Sequence, residues 1–330
     1  WGSAPILIYG VMQYLGFDPI PWTRWGDAGS VISTLGNENY FGAYLALLLP
    51  PTLALMLIAS NRVERTLYVA LVVLQIACLI VTHSNGAIIA ALLACALLMF
   101  WYWRRATWMT KVFIIGVLLF SMIATMLIAV QGDAIGDGLV KLTNYGREVR
   151  PFTWESGLNA VAARPLFGWG LSSFDLTHEQ YASPGFRINL FPMPRVMDRV
   201  HNIWLELAVE TGLVGLGLWL TMMFLGGSVV LQTLERVKNA ETRMMILGCL
   251  AACFGYVIYQ VVNPSDLTSL MIFWWLIGLM LGLSFPSEVE NNSGITTSIL
   301  APTSASFILQ VLFLFTAVGT VYGFWQWWVN

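Results

Sequence analysis

The sequence predicts an all-α protein, a polytopic bundle of transmembrane helices with one large extracytoplasmic loop that itself contains helices. Three observations lead to this prediction. Of the 330 residues, 58% are hydrophobic and only 10% are charged, which is outside the range of ordinary soluble domains. The apolar residues form runs of roughly 20, the length of a spanning helix. The basic residues of the short connections occur in alternate connections, as the positive-inside rule requires.

The apolar runs predict about nine spans, because a bilayer core admits only helices or closed barrels. About five spans fall in residues 1–130 and about four in residues 202–330. Residues 286–304 are rich in Ser, Thr, Asn and Glu, and we predict a flexible cytoplasmic linker there. The expected spans are 4–16, 40–59, 67–82, 87–103, 112–130, 202–231, 244–262, 267–285 and 305–329.

The positions of lysine and arginine predict the orientation of the bundle. The basic connections 62–65, 104–111 and 236–243 should be cytoplasmic, which places residues 131–201 outside. Long loops are exempt from the rule, so the basic residues of this loop indicate an anionic partner, or ion pairs with the loop's own seven acids. The seven basic residues are Lys141, Arg147, Arg150, Arg164, Arg187, Arg195 and Arg199.

Within this loop, Pro151 is suited to the first turn of a helix, and the helix should end before Pro165. Arg150 then stands at the start of that helix. The run from Pro165 to Gly170 predicts a turn with a close approach of backbone. Arginine binds phosphate bidentately and stays charged, so Arg147, Arg150 and Arg199, beside predicted helix starts, are candidates to bind a diphosphate.

His201 stands where the polar loop enters an apolar helix, and Asp198 is expected to cap that helix. The positive end of a helix dipole favours a neutral imidazole, which can act as a general base. The alternative is an interfacial residue whose ring reaches the water line, and position alone favours this alternative.

Three acids accompany His201. Glu206 and Glu210 are one turn apart near the top of the same helix, where a carboxylate is costly without a partner, so pairing with a loop arginine is expected. For both, a structural role is favoured over a catalytic one. Asp266 is expected on the same side and either orients His201 or is a solvated loop acid.

Several functions have no support in the residue pattern. The four cysteines lie in apolar runs without metal-ligand spacing, and no acidic cation motif, Gly-rich phosphate loop or Ser-His-Asp constellation is visible. No metal and no cofactor is therefore predicted. A net charge of −2 with dispersed basic residues gives no indication of nucleic-acid binding.

Four groups of residues form a pattern along the chain: Tyr9, Gly10, Gln13 and Asp18; Gly36-Asn37-Glu38-Asn39 with Tyr44, Pro50 and Pro51; Arg150 and Trp154 with 165–170; and His201-Asn202, Glu206 and Glu210-Thr211-Gly212. In this pattern the chain resembles the O-antigen ligase and O-antigen polymerase superfamily of membrane glycosyltransferases. Two departures from the family pattern are Glu38, where proline is frequent, and the absence of an arginine after Ser84. Family members also lead us to expect further helices before Trp1.

The resemblance implies an inverting, metal-independent transfer of a glycan from a polyprenyl-diphosphate carrier, on the periplasmic face of the bacterial cytoplasmic membrane. His201 would deprotonate or orient the acceptor hydroxyl, while Arg150 with Arg147 or Arg199 neutralises the departing diphosphate. Asn202, Glu206, Glu210 and Asp266 would support them. The acceptor could be a lipopolysaccharide core sugar (ligase, favoured), a growing glycan (polymerase) or a protein hydroxyl. A lipid-glycan transporter and a structural membrane subunit are the alternatives of another class.

Overall fold

The computed structural model describes residues 2–20, 31–103, 150–182, 197 and 199–284. Every regular element within these ranges is helical. The predicted spans 112–130 and 305–329 and the predicted linker 286–304 lie outside the described residues. The helices are α1 Ala4–Tyr14, a 3-10 turn Ser33–Leu35, α2 Glu38–Ile58, α3 Arg62–Val81, α4 Asn85–Trp103, α5 150–163, α6 Phe174–Tyr181, α7 Ile203–Arg236, α8 Ala240–Tyr259 and α9 Leu267–Ser284.

Five of the described helices, α2, α3, α4, α7 and α8, are long and apolar enough to cross a membrane. The apolar part of α9 is shorter. The 11 residues of α1 reach only about 17 Å, less than the roughly 30 Å of a hydrocarbon core. The all-helical prediction is therefore confirmed for the described residues, which include five candidate membrane spans, whereas the count of nine spans and the extracytoplasmic loop are not confirmed.

Helices α2, α3 and α8 begin earlier than the apolar runs indicate, at Glu38, Arg62 and Ala240, whereas α7 begins at Ile203, one residue later than predicted. All four helices begin next to a capping asparagine. The side chains of Asn37, Asn61, Asn202 and Asn239 accept hydrogen bonds from the first backbone N–H groups of α2, α3, α7 and α8. Each cap satisfies donors that a helix start leaves without a partner.

The centre of the bundle is formed by α2, α4 and α8, which approach closely at glycines. A Cβ atom added to Gly42 would lie 2.6 Å from the Cβ of Ala87, and one added to Gly255 would lie 2.7 Å from the carbonyl oxygen of Ala90. Small residues of this kind allow helix backbones to approach in a membrane protein.

Tyr9, Gln13 and Asp18, the first residues of the family pattern, form a hydrogen-bond network. Gln13 accepts hydrogen bonds from the backbone of Ile32 and Ser33, at 3.3 and 2.7 Å, and donates to Asp18 at 2.9 Å. The Tyr9 hydroxyl donates to Asp18 at 2.7 Å. These bonds fasten α1 to the segment that leads into α2, which is a physical reason for the pattern of Tyr9, Gln13 and Asp18.

We predict that Gly255→Ala destabilises the bundle, because the added methyl group would meet the backbone of α4. Overpacking of a tight contact costs about 1–3 kcal/mol, so the thermal midpoint of the protein in lipid nanodiscs should fall by several degrees. Gly217→Ala is the matched control, because a Cβ at Gly217 meets nothing within 4 Å. Equal midpoints for the two variants would contradict the close packing of α8 on α4.

Candidate functional site

The helix ends that the charge pattern predicts to be outside meet at one end of the bundle, which we call the site end. Asn39, in the first turn of α2, accepts a hydrogen bond from Ser84 Oγ through Oδ1, at 2.8 Å. Its backbone carbonyl accepts one from the Tyr259 hydroxyl, at 2.9 Å. The Gly36-Asn37-Glu38-Asn39 motif therefore caps α2 and ties it to the segment between α3 and α4 and to the end of α8.

Arg150 begins the described part of α5 and reaches the connection between α8 and α9. Its Nη2 lies 3.5 Å from Asn263 Oδ1, and Asn263 in turn donates to the carbonyl of Tyr259 at 3.4 Å. Gly86 passes directly over the Asn263 amide and leaves no room for a side chain. Burial lowers the pKa of Arg150, and the Tyr259 hydroxyl opposes the shift. A desolvated guanidinium of this kind gains strongly from an anionic partner.

Arg199 contacts the same connection between α8 and α9. Its Nη1 donates to the backbone carbonyl of Ser265 at 2.9 Å and lies 3.6 Å from Glu206 Oε1. The predicted pairing of Glu206 with a loop arginine therefore has a partner in Arg199. Arg150 and Arg199 contact residues only two positions apart, so their guanidinium groups lie over one short loop.

His201 precedes the start of α7 and adopts a left-handed backbone conformation, with φ of 60°. This conformation is uncommon outside glycine and occurs often at functional sites. The ring Nδ1 lies 3.1 Å from the carbonyl oxygen of Arg199. Because a carbonyl can only accept, this contact favours the tautomer with the proton on Nδ1 and the lone pair on Nε2.

The cap of α7 is Asn202, not the predicted Asp198, which lies outside the described residues. Asn202 Oδ1 accepts hydrogen bonds from the backbone of Trp204 and Leu205, at 3.0 and 3.1 Å. His201 therefore lies one residue before the cap, on the irregular backbone. A capping side chain bonds the N–H groups two and three residues ahead of it, so a helix that starts at Ile203 takes its cap from position 202.

Helix α5 packs against the residues around His201. The fully buried Thr153 donates through Oγ1 to the carbonyls of Val200 and Arg150, at 3.3 and 3.0 Å. One turn later, a Cβ added to Gly157 would lie 3.1 Å from the Leu205 side chain. The helix that begins with Arg150 is therefore fixed to the residue directly before His201.

Helix α7 is interrupted at Gly212, whose φ of 70° and ψ of −176° are not helical. Residues 165–170, which we call the clip segment, supply hydrogen bonds at this break. Trp169 and Gly170 donate to the carbonyls of Val209 and Glu210, both at 2.9 Å. Leu213 and Val214 donate to the carbonyls of Pro165 and Leu166, at 2.7 and 3.2 Å. The predicted close backbone approach is thus found, and its partner is the broken helix.

Glu210 fastens the residues that follow the clip segment. Its Oε1 accepts a hydrogen bond from the backbone N–H of Ser172 at 2.8 Å. Glu206 and Glu210 therefore differ in their contacts: Glu206 binds a guanidinium, and Glu210 binds backbone. Both contacts fit the structural role that was favoured for these acids.

Asp266 caps α9 by accepting a hydrogen bond from the backbone of Ser269, at 2.9 Å. Burial raises its pKa, and the hydrogen bonds at the start of α9 oppose the shift. These contacts correspond neither to a solvated loop acid nor to the predicted contact with His201, which stays a prediction. Arg147 lies outside the described residues, so its predicted part in a diphosphate site is likewise untested. In the part of the chain that the structure describes, no group of three His, Cys, Asp or Glu side chains is placed to hold a metal ion.

Sequence reasoning missed Thr153, Tyr259 and Asn263, which hold the site together. Polar residues that end an apolar helix, as in Gln260 and Asn263-Pro264, were the available signal. That signal does not reveal the partner of each side chain.

Residues 70–220 match a protein-family model described as O-antigen ligase. The match covers a little under half of the chain and includes Arg150, the clip segment and His201. It confirms the resemblance to the O-antigen ligase superfamily. No curated protein matches the chain.

The raised pKa of Asp266 predicts a pH-dependent stability. The folded protein holds this proton more tightly than the unfolded chain, so the stabilisation is complete below the ordinary pKa of about 4 and is lost as pH rises through the raised value. Asp266→Asn keeps a capping residue without the titration, so its thermal midpoint in nanodiscs should fall less than that of wild type from pH 4 to pH 7. Asp266→Ala, which also lacks the titration, should be about 1 kcal/mol less stable than Asp266→Asn at both pH values because it loses the cap. Parallel profiles for wild type and Asp266→Asn would contradict this prediction.

Proposed function

We propose that this chain is a glycosyltransferase of the ligase type, which moves a glycan from a polyprenyl-diphosphate carrier to an acceptor hydroxyl at the outer face of the bacterial cytoplasmic membrane. The family match indicates a membrane glycosyltransferase of the ligase or polymerase type. The transfer inverts the anomeric carbon and needs no metal ion. The outer side is inferred from the alternation of basic connections.

The observation that carries the proposal is that Arg150 and Arg199 contact residues 263 and 265 of the same short loop, and that the His201 ring contacts the carbonyl of Arg199. Two guanidinium groups suit a diphosphate, because each can donate two parallel hydrogen bonds to phosphate oxygens. A fixed positive charge in a partly dehydrated site stabilises a leaving group as its negative charge develops.

The two arginines differ in the charge of the side chains that they contact. Arg199 faces the carboxylate of Glu206, whereas the described contact of Arg150 is a long one to a neutral amide. Among the described residues, the charge of Arg150 is therefore compensated less than that of Arg199. We assign Arg150 the main contact with the diphosphate and Arg199 a supporting one.

His201 acts as the general base in this proposal. Nε2 takes the proton of the acceptor hydroxyl as its oxygen attacks the anomeric carbon, and the bond from that carbon to the diphosphate oxygen breaks. The lipid diphosphate leaves with the electron pair, next to the arginines. A single displacement of this kind inverts the configuration, and the contact of Nδ1 with the Arg199 carbonyl orients the ring.

If the protein is a ligase, the acceptor is a lipopolysaccharide core sugar. A growing glycan and a protein hydroxyl are the alternative acceptors.

A lipid-glycan transporter, the alternative of another class, would require charged residues within the spans and a site open to both sides. In the described spans, charged side chains lie in the terminal turns, apart from Glu210 near the site end of α7. This distribution favours an enzyme with its site at one end.

We expect His201→Ala and His201→Asn to lower glycan transfer by about 100-fold or more, the usual contribution of a general base. Asparagine tolerates the left-handed conformation, so the second variant separates loss of the base from loss of the backbone shape. His83→Ala is the matched control, because His83 also has a positive φ, of 55°, at a helix boundary. The assay incubates protein in nanodiscs with a polyprenyl-diphosphate-linked glycan and the three acceptor types, and mass spectrometry identifies the product. Retained transfer in both His201 variants would exclude the base role.

Arg150→Lys should lower kcat/KM by about tenfold or more, because an ammonium group cannot reproduce the bidentate fork. Arg62→Lys, at an exposed position on the opposite side of the bundle, should leave kcat/KM unchanged. The same nanodisc assay measures both, with the carrier-linked glycan varied. The diphosphate site would be wrong if the two substitutions had the same effect.

A further inference from the structure

The length of α7 after its break locates the membrane boundary. Residues 213–236 form a continuous helix of about 36 Å. This length alone crosses a hydrocarbon core of roughly 30 Å. Gly212 therefore lies near the edge of the core on the site side, and the part of α7 before Gly212 rises above it. Because the clip segment is hydrogen-bonded to the break, it lies at the same depth.

The clip segment presents large apolar side chains beside those of the span. Leu166 and Phe167 are 60% and 75% exposed, and Leu213 and Val214, which follow the break, are 51% and 43% exposed. We call these four residues the apolar ridge. In water, such a contiguous apolar surface would be unfavourable, and surfaces of this kind mark interaction sites.

The ridge continues into the surface of α7 that faces lipid. In the part of the chain that the structure describes, only 11% of the apolar part of α7 is buried, and Leu218 and Phe224 are 61% and 73% exposed along it. A helix of this composition with so little protein contact faces acyl chains. The side chain of Arg164 stacks over the ring of Trp169, 4.0 Å from its centroid. Tryptophan and arginine are typical of the interface between acyl chains and headgroups.

We propose that the clip segment is a lipid anchor: its apolar ridge inserts into the membrane leaflet on the site side, at the boundary between headgroups and acyl chains. Helix α5, which ends next to the clip segment, is thereby held at the membrane surface. This inference requires only that α7 spans the membrane, so it stands or falls independently of the proposed reaction.

Site-directed fluorescence quenching in nanodiscs tests the proposal. Single cysteines are introduced as Phe167→Cys and Leu166→Cys in a background whose four native cysteines are replaced by alanine, and each is labelled with an environment-sensitive fluorophore. Quenching is compared between lipids with a nitroxide near the headgroup, lipids with a nitroxide near the chain end, and aqueous iodide. Asn159→Cys, an exposed position on α5, is the aqueous reference. Phe224→Cys, about midway along the helix after the break, is the deep lipid reference.

The expected result is that labels at 166 and 167 are quenched at least threefold more by the shallow nitroxide, relative to iodide, than the label at 159. Their preference for the shallow over the deep nitroxide should also exceed that of the label at 224. A ratio of shallow nitroxide to iodide quenching equal to that at position 159 would overturn the proposal, since the ridge would then face water or another protein. Two label positions guard against misfolding of one variant, and size-exclusion chromatography confirms that each labelled protein remains intact.

Discussion

The break of α7 at Gly212 is the constraint on which the arrangement of the site depends. An interrupted helix leaves N–H and C=O groups without partners, and each such group costs several kcal/mol where water is scarce. The clip segment supplies four backbone hydrogen bonds to these groups. At Gly212 the φ is positive and the backbone of Leu166 passes where a side chain would lie, so only glycine fits. The two sequence motifs around residues 165–170 and 210–212 are therefore one structural unit.

This unit fixes the distance between the proposed base and the proposed diphosphate contact. Helix α5 is held at its end by the clip segment and along its length by Thr153 and Gly157, which pack against the chain on either side of His201. Arg150, at the other end of α5, contacts Asn263. Because both ends of α5 are held, Arg150 and His201 keep their relative positions before any ligand arrives. Preorganisation of this kind lowers the entropic cost of reaching a reactive geometry.

Much of the fold could be predicted from the sequence, and less of the site. Hydropathy located the five candidate spans of the described residues, and the cost of a carboxylate near the membrane correctly predicted a partner for Glu206. The break at Gly212 could not be seen, because glycine is tolerated in helices and the nearby Gly215 and Gly217 lie within continuous helix, so a glycine alone does not indicate a kink. Contacts such as Arg150 with Asn263 join residues far apart in the chain, so no local pattern reveals them. The capping residue of α7 could not be identified for a different reason. Asp198 and Asn202 are both residue types that cap helices, so residue type alone does not choose between them.

The partners of the two arginines explain why a site for an anion can exist beside acidic side chains. Glu206 forms an ion pair with Arg199, and this pairing offsets the cost of placing a carboxylate near the membrane. The pair as a whole carries almost no net charge. Arg150 contacts an amide whose own N–H is engaged by the Tyr259 carbonyl, which leaves Asn263 Oδ1 facing the guanidinium. A neutral acceptor orients Arg150 without cancelling its charge. An anion that binds to Arg150 offsets the cost of desolvating its charge. Arg150 therefore favours an anionic group, such as a diphosphate, over a neutral sugar as its ligand.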